Sequence, residues 1–149
     1  DGQGRFTFQQ NLNALAPISI TIGDVDGDGK LDVVAPDQTG AGKILVFRGV
    51  GDGTFLDPLL SDTGYLPRYV ALADFNHDGK LDALVGNDTT SGAQLNLQYG
   101  NGDGTFGTPE SYWVDSTIPI AIGDFNHDGA LDAVTGVNGV SVLLGRNPK

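Results

Sequence analysis

Three short acidic loops are the part of this sequence with evident chemical capacity. The first reads Asp24-Val25-Asp26-Gly27-Asp28-Gly29-Lys30-Leu31-Asp32. It recurs as Asp74-Phe75-Asn76-His77-Asp78-Gly79-Lys80-Leu81-Asp82, and again as Asp124-Phe125-Asn126-His127-Asp128-Gly129-Ala130-Leu131-Asp132. Side-chain oxygens stand at positions 1, 3, 5 and 9 of each loop. Alternate residues of a tight loop turn inward together, and Gly at position 6 permits the sharp bend. The expected ligand sets are Asp24, Asp26, Asp28 and Asp32, then Asp74, Asn76, Asp78 and Asp82, then Asp124, Asn126, Asp128 and Asp132. The position-7 carbonyls of Lys30, Lys80 and Ala130 would add one donor each. All donors are hard oxygens, five per loop before any water, which favours Ca²⁺ over Mg²⁺ or zinc. An EF-hand is rejected, because it needs a bidentate Glu at position 12 and flanking helices. Position 12 here is Ala35, Val85 or Thr135. The bland reading, an Asp-Gly turn with no metal, is weakened by three copies with matching ninth-position Asp. The first loop has one more carboxylate than the others, and the third lacks a Lys.

Composition agrees with this. Acidic residues outnumber basic ones 19 to 8, for a formal charge of −11. Ten of the 19 acids lie in the three loops, and crowded carboxylates repel unless a cation joins them. Nucleic acid is an unsuitable partner, since phosphate binding needs clustered Lys and Arg. With no Cys in the chain, disulfides, zinc–thiolate sites and thiol catalysis are excluded. No apolar run approaches membrane-spanning length, so no membrane insertion is expected. A start at Asp1 rather than Met fits a processed protein or a piece of a longer one.

The elements that must hold the loops alternate with period two, the strand signal. Ile20–Gly23, Val70–Ala73 and Ile120–Gly123 precede the loops. Leu31–Ala35, Leu81–Val85 and Leu131–Thr135 follow them, with Leu31, Leu81 and Leu131 expected to pack each loop onto the core. Third strands are expected at Lys43–Arg48, Gln94–Tyr99 and Val140–Leu144. The turn Gly51-Asp52-Gly53-Thr54-Phe55, repeated as Gly102-Asp103-Gly104-Thr105-Phe106, leads into fourth strands near Thr54–Leu60 and Thr105–Trp113. A worn copy, Gly2-Gln3-Gly4-Arg5-Phe6, opens the chain and a strand of fourth type over 5–11. Loop starts at 24, 74 and 124 set a period of fifty residues, the size of one four-stranded propeller blade. A β-sandwich has no reason to repeat its loops at a constant period. The fold expected is therefore all-β, with three four-stranded antiparallel propeller blades in one segment, 1–149, and repeats of roughly 5–54, 55–105 and 106–145. Three blades are too few to close a ring. Either two chains join, each lending its first strand, or the chain is part of a larger propeller.

These residues resemble the FG-GAP or VCBS repeat family, whose integrin α-subunit members form a seven-bladed propeller. The resemblance rests on Asp-x-Asp/Asn-x-Asp-Gly-x-Leu-Asp, on Gly-Asp-Gly-Thr-Phe and on Val140-Ser141-Val142-Leu143-Leu144-Gly145. It implies calcium in the loops at one end of the propeller. It leaves the ligand open, since family members serve in adhesion, in sugar binding and as non-catalytic parts of secreted enzymes.

The function expected is a calcium-stabilised binding or scaffold module for protein or glycan, outside the cell or on its surface. Such oxygen-only sites fill where calcium is near millimolar. The alternative is the propeller part of a secreted polysaccharide lyase or hydrolase. Catalysis lacks support, because Glu110 is the only Glu and Asp37, Asp57, Asp62, Asp88 and Asp115 show no telling spacing. His77 and His127 repeat one loop position, which suits a solvent-facing residue. Tyr112 and Trp113 are candidate ligand contacts, and Tyr65 and Tyr69 hold the corresponding link of the preceding repeat. Packing between blades is the favoured reading for all four.

Overall fold

The computed structural model describes residues 4–14, 16–39, 42–117, 119–136 and 139–146. They form eleven strands and no helix: β1 (Thr21–Gly23), β2 (Asp32–Asp37), β3 (Lys43–Phe47), β4 (Leu59–Asp62), β5 (Pro67–Ala73), β6 (Asp82–Thr89), β7 (Gly92–Gln98), β8 (Glu110–Val114), β9 (Ile120–Gly123), β10 (Asp132–Thr135) and β11 (Ser141–Leu143). Three antiparallel sheets result, in the orders β1-β2-β3-β4, β5-β6-β7-β8 and β9-β10-β11.

Each acidic loop is the connection between the first two strands of a sheet. The register at its base is the same three times: Gly23 opposes Asp32, Ala73 opposes Asp82, and Gly123 opposes Asp132. The second strands are buried along most of their length, as expected of strands flanked on both edges. Pro36 is tolerated in β2 because β1 pairs only as far as Val34. First strands touch in sequence, β1 against β5 and β5 against β9. The sheets therefore follow one another side by side.

The main core lies between the first two sheets. Val25, Val34, Ile44 and Val46 of the first meet Val70, Ala83, Val85 and Phe106 of the second. A smaller cluster joins the second and third sheets through Leu84, Leu95 and Ala133, with half-buried Phe75, Leu97, Val114, Ile120 and Leu143 around it. Leu81 packs against the main core as expected of it, whereas Leu31 lies exposed.

The fourth strands begin later than the sequence suggests. Thr54–Pro58 and the segment 105–109 run outside the ladder apart from single bridges, Gly49 to Phe55 and Gly100 to Phe106. Pro58 and Pro109 stand immediately before β4 and β8, and a residue without an N–H cannot extend a ladder. The expected strand over 5–11 is not formed. Residues 4–14 pair with no sheet edge among the described residues, and Gly2 and Gln3 of the worn turn lie outside them. The third sheet accordingly has three strands, with β11 at its edge.

Candidate metal centre

In the first loop the side chains fold the backbone around themselves. Asp24 accepts the N–H groups of Gly27 (2.8 Å) and Gly29 (2.9 Å), one on each oxygen. Asp26 accepts from Asp28, and Asp28 accepts from Lys30. These short-range bonds wind the loop so that ligand oxygens of Asp24, Asp26 and Asp28 lie within 4.8 Å of one another. A group of three carboxylates in that space can bind a metal ion. Two cations already lean on it. The Lys30 ammonium sits 2.6 Å from Asp28 Oδ2, and the Arg48 guanidinium lies 4.0 Å from Asp26 Oδ2. The Lys30 contact holds the Asp28 carboxyl below its ordinary range and raises the Lys30 ammonium in return.

The second and third loops repeat the winding. Asp74 and Asp124 each accept from the fifth and sixth residues of their loop, at 3.0 and 2.8 Å and at 3.2 and 3.0 Å. Asn76 and Asn126 take the place of Asp26 and accept the same N–H, that of Asp78 or Asp128. The N–H groups of Lys80 and Ala130 are donated to Asp78 and Asp128, which bends residue 7 over the loop as in the first copy. With Asn at position 3 these loops hold two carboxylates and an amide oxygen at their mouths. At Asp124, partial desolvation pushes the carboxyl upward. The amides of Gly129, His127 and Asp128, together with the nearby His127 ring, outweigh it and leave the group lowered.

The ninth-position aspartates stand apart from the mouths. Asp32, Asp82 and Asp132 are fully buried. One oxygen of each accepts the N–H of the residue after the first loop Asp: Val25 at 2.9 Å, Phe75 at 2.8 Å and Phe125 at 2.8 Å. The other accepts a glycine N–H beyond the third strand, Gly49, Gly100 or Gly145, at 2.8 Å each. Each oxygen keeps a further lone pair, so these residues remain compatible with a ligand role. Their visible work is to tie both ends of the loop to the third strand. The glycines are required there. A Cβ on Gly49, Gly100 or Gly145 would stand 2.2–2.3 Å from the carbonyl oxygen of Leu31, Leu81 or Leu131.

His77 and His127 have positive φ, 59° and 61°, as does their counterpart Gly27 at 76°. Position 4 is therefore a left-handed corner, which His tolerates better than most side chains. Gly27 in the first copy was the sequence signal for it. The His77 ring also reaches the next loop, with Nε2 3.1 Å from the Gly129 carbonyl.

The donors fit a hard divalent cation: oxygens only, converging, on a loop wound by its own hydrogen bonds. The residues the sequence reading missed lie deeper. Asn87, Asn96 and Gln98 are buried in the second sheet, and their side-chain amides donate to the carbonyls of Tyr65, Thr63 and Asp62. They fix the link between the first and second sheets, and their polar character mid-strand was the available signal.

Tyr112 and Trp113 lie on β8, facing opposite ways. Tyr112 lines a cavity between the second and third sheets, and Trp113 is exposed, over Gly92. Packing between sheets thus does not describe Trp113, and Tyr112 itself remains 42% exposed at the cavity wall.

Residues 24–85 match the family described as FG-GAP-like repeat. This span runs from the first residue of the first loop into β6 beyond the second loop, so it covers two of the three loops and bears out the resemblance read from their motifs. No curated protein matches the chain.

Proposed function

We propose that the chain is a run of three blades of a calcium-stabilised β-propeller, acting outside the cell as a binding or scaffold module for a protein or glycan and not as an enzyme. The observation that carries this is the convergence of Asp24, Asp26 and Asp28 on one point, in a loop whose winding recurs twice. Each loop would hold one calcium ion, giving three per chain. The ion would relieve carboxylate repulsion and pin the hairpin, with binding energy added to folding energy. Loops of this open kind suit the millimolar calcium outside cells.

A non-catalytic role is supported by the carboxylates outside the loops. Asp37 is held by Thr39, Asp62 by Lys43 and Asp88 by Arg68. Trp113, exposed on an edge strand, is a flat apolar face of the kind that stacks on a sugar ring or anchors a protein partner.

Calorimetric titration of the metal-free chain tests the calcium reading. Three Ca²⁺ per chain, with Mg²⁺ bound far more weakly, is the expected result. No heat of binding at millimolar Ca²⁺ would overturn it. For ligand recognition, Trp113→Ala should abolish binding to any glycan captured on an array, with the melting temperature unchanged.

A further inference from the structure

One cation of the first sheet has no counterpart in the other two. Arg48 follows β3 and stands immediately before Gly49, where Tyr99 and Leu144 stand before Gly100 and Gly145. The first loop is also the one with a third carboxylate at its mouth, Asp26 in the place of Asn76 and Asn126. The added cation thus accompanies the added anion. Lys30 is not that match, since Lys80 repeats it in the second loop.

The Arg48 backbone is fixed on both sides. Its carbonyl accepts the N–H of Leu56 at 2.9 Å, and the next N–H along the chain, that of Gly49, goes to the buried Asp32. From this anchor the side chain crosses to the second sheet. A Cβ on Gly104 would stand 3.3 Å from Arg48 Cδ, so the Arg48 stem lies on the bare backbone of the Gly102–Phe106 turn. The same turn is tied to the loop, because the Gly104 N–H donates to the Val25 carbonyl at 3.1 Å. The guanidinium ends between two acids. On the loop side its Nη1 is 4.0 Å from Asp26 Oδ2, and the Asp26 side chain is only 13% exposed. On the turn side stands exposed Asp103, which accepts the Thr105 N–H at 2.9 Å. The Thr105 hydroxyl and amide hold the Asp103 carboxyl below its ordinary range, and the Arg48 charge adds to this. A guanidinium is a planar fork of N–H donors that can serve two carboxylates. The Arg48 Nε is buried and has no acceptor among the described residues, so its donors are not all spent.

We propose that Arg48 is a positioning residue that couples the first metal centre to the junction between the first and second sheets. The proposal rests on the calcium reading above and deepens it. A calcium ion on Asp26 competes with the guanidinium for that carboxylate, and Asp103 across the junction is the acceptor to which the guanidinium turns. The ion then draws turn and loop together, and by linkage a firmer junction favours the ion. The Arg48 charge also opposes the ion directly. A unit charge about 6 Å from a divalent ion, screened as in water, changes its affinity by about tenfold. Arg48, one contact beyond a ligand oxygen, stands at about that range.

The test is a calcium titration of the full chain followed at the Gly27 and Gly29 amide signals in NMR, which report the first loop. Arg48→Gln should tighten this loop by about tenfold, and Arg48→Lys, which keeps the charge, should leave it within about threefold of the native chain. An unchanged or weakened first loop in Arg48→Gln would overturn the proposal. Asp103→Asn should weaken the loop by about threefold in the native background and by less in the Arg48→Gln background. Equal losses in the two backgrounds would overturn the link across the junction. A further cycle needs no metal. In chelator, the effects of Arg48→Gln and Asp26→Asn on the denaturation midpoint should fail to add. Additive effects would overturn the Arg48–Asp26 contact whether or not calcium binds. Non-additive midpoints with no calcium response at any loop would place the failure in the calcium reading, and the metal half of the proposal would fall with it.

Discussion

The mouth and the root of each loop use the same side chain for opposite ends. At the mouth, Asp24, Asp26 and Asp28 crowd together near solvent, held by bonds from their own loop. At the root, Asp32 is fully buried and bridges Val25 to Gly49. The mouth gathers charge that a cation can neutralise. The root spends its charge on two amides that would otherwise be buried without partners. A loop motif of four acidic positions therefore contains two separable devices, one that can take an ion and one that fastens the hairpin.

The largest expected effect comes from removing a root. Asp82→Ala leaves the N–H groups of Phe75 and Gly100 unpaired, and should destabilise the fold by roughly 2–6 kcal/mol in denaturant titration, at about 1–3 kcal/mol per buried unpaired group. A loss below about 1 kcal/mol would break the distinction. Removing the ion from all mouths comes next. At a hundredfold excess over Kd, each calcium stabilises by about 2.7 kcal/mol, so the melting temperature should fall in chelator. An unchanged melt would mean that the mouths are idle. Within the mouths, Asp26→Asn converts the first loop to the pattern of the other two. Calorimetry should show that one site weakened by roughly tenfold, with the other two unmoved.

A carboxyl-resolved NMR titration of the metal-free chain sharpens the comparison further. Desolvation raises the Asp82 carboxyl, helped by Asp78 and Asp74, against the pull of the Gly100 and Phe75 amides. Asp28 and Asp124 are lowered. Asp82 should therefore titrate above the ordinary aspartate value of 3.8 and the two mouth groups below it. The linkage has opposite signs. A lowered group lends stability above its unfolded pKa that disappears as pH falls through its folded pKa. The raised root lends stability below its unfolded pKa that disappears as pH rises through its folded one. Equal midpoints would erase the difference. The smallest effect is at the corner: His127→Gly should stabilise by up to about 1 kcal/mol in denaturant titration, because a left-handed φ of 61° favours glycine.

Much of this was legible in the sequence, because a repeat compares itself with itself. The loops, the first three strands of each unit and their order follow from spacing and alternation. β9, expected over Ile120–Gly123, has those bounds. The start of the fourth strands was not legible from alternation, since Pro58 and Pro109 interrupt the ladder inside an alternating run. Nor was the state of residues 5–11, because a strand needs an edge to pair with and its pattern cannot say whether one is in reach. The ninth Asp reads in the sequence as one more ligand, a role its hydrogen bonds leave open, but its fastening of the hairpin is not legible there. Its burial depends on glycines seventeen, eighteen or thirteen residues away, and that closure exists only in three dimensions.

Phe106 leads into β8 of the second sheet, yet it is buried in the core that this sheet shares with Val25, Val34 and Val46 of the first, and the N–H of Gly104 donates to the carbonyl of Val25. The second unit therefore carries part of the first unit's interior. A gene segment of one period, copied or excised, would transmit a body with one wall left open. Lengthening or shortening such a chain by whole periods preserves every internal seam and shifts the unfinished surfaces to the new ends.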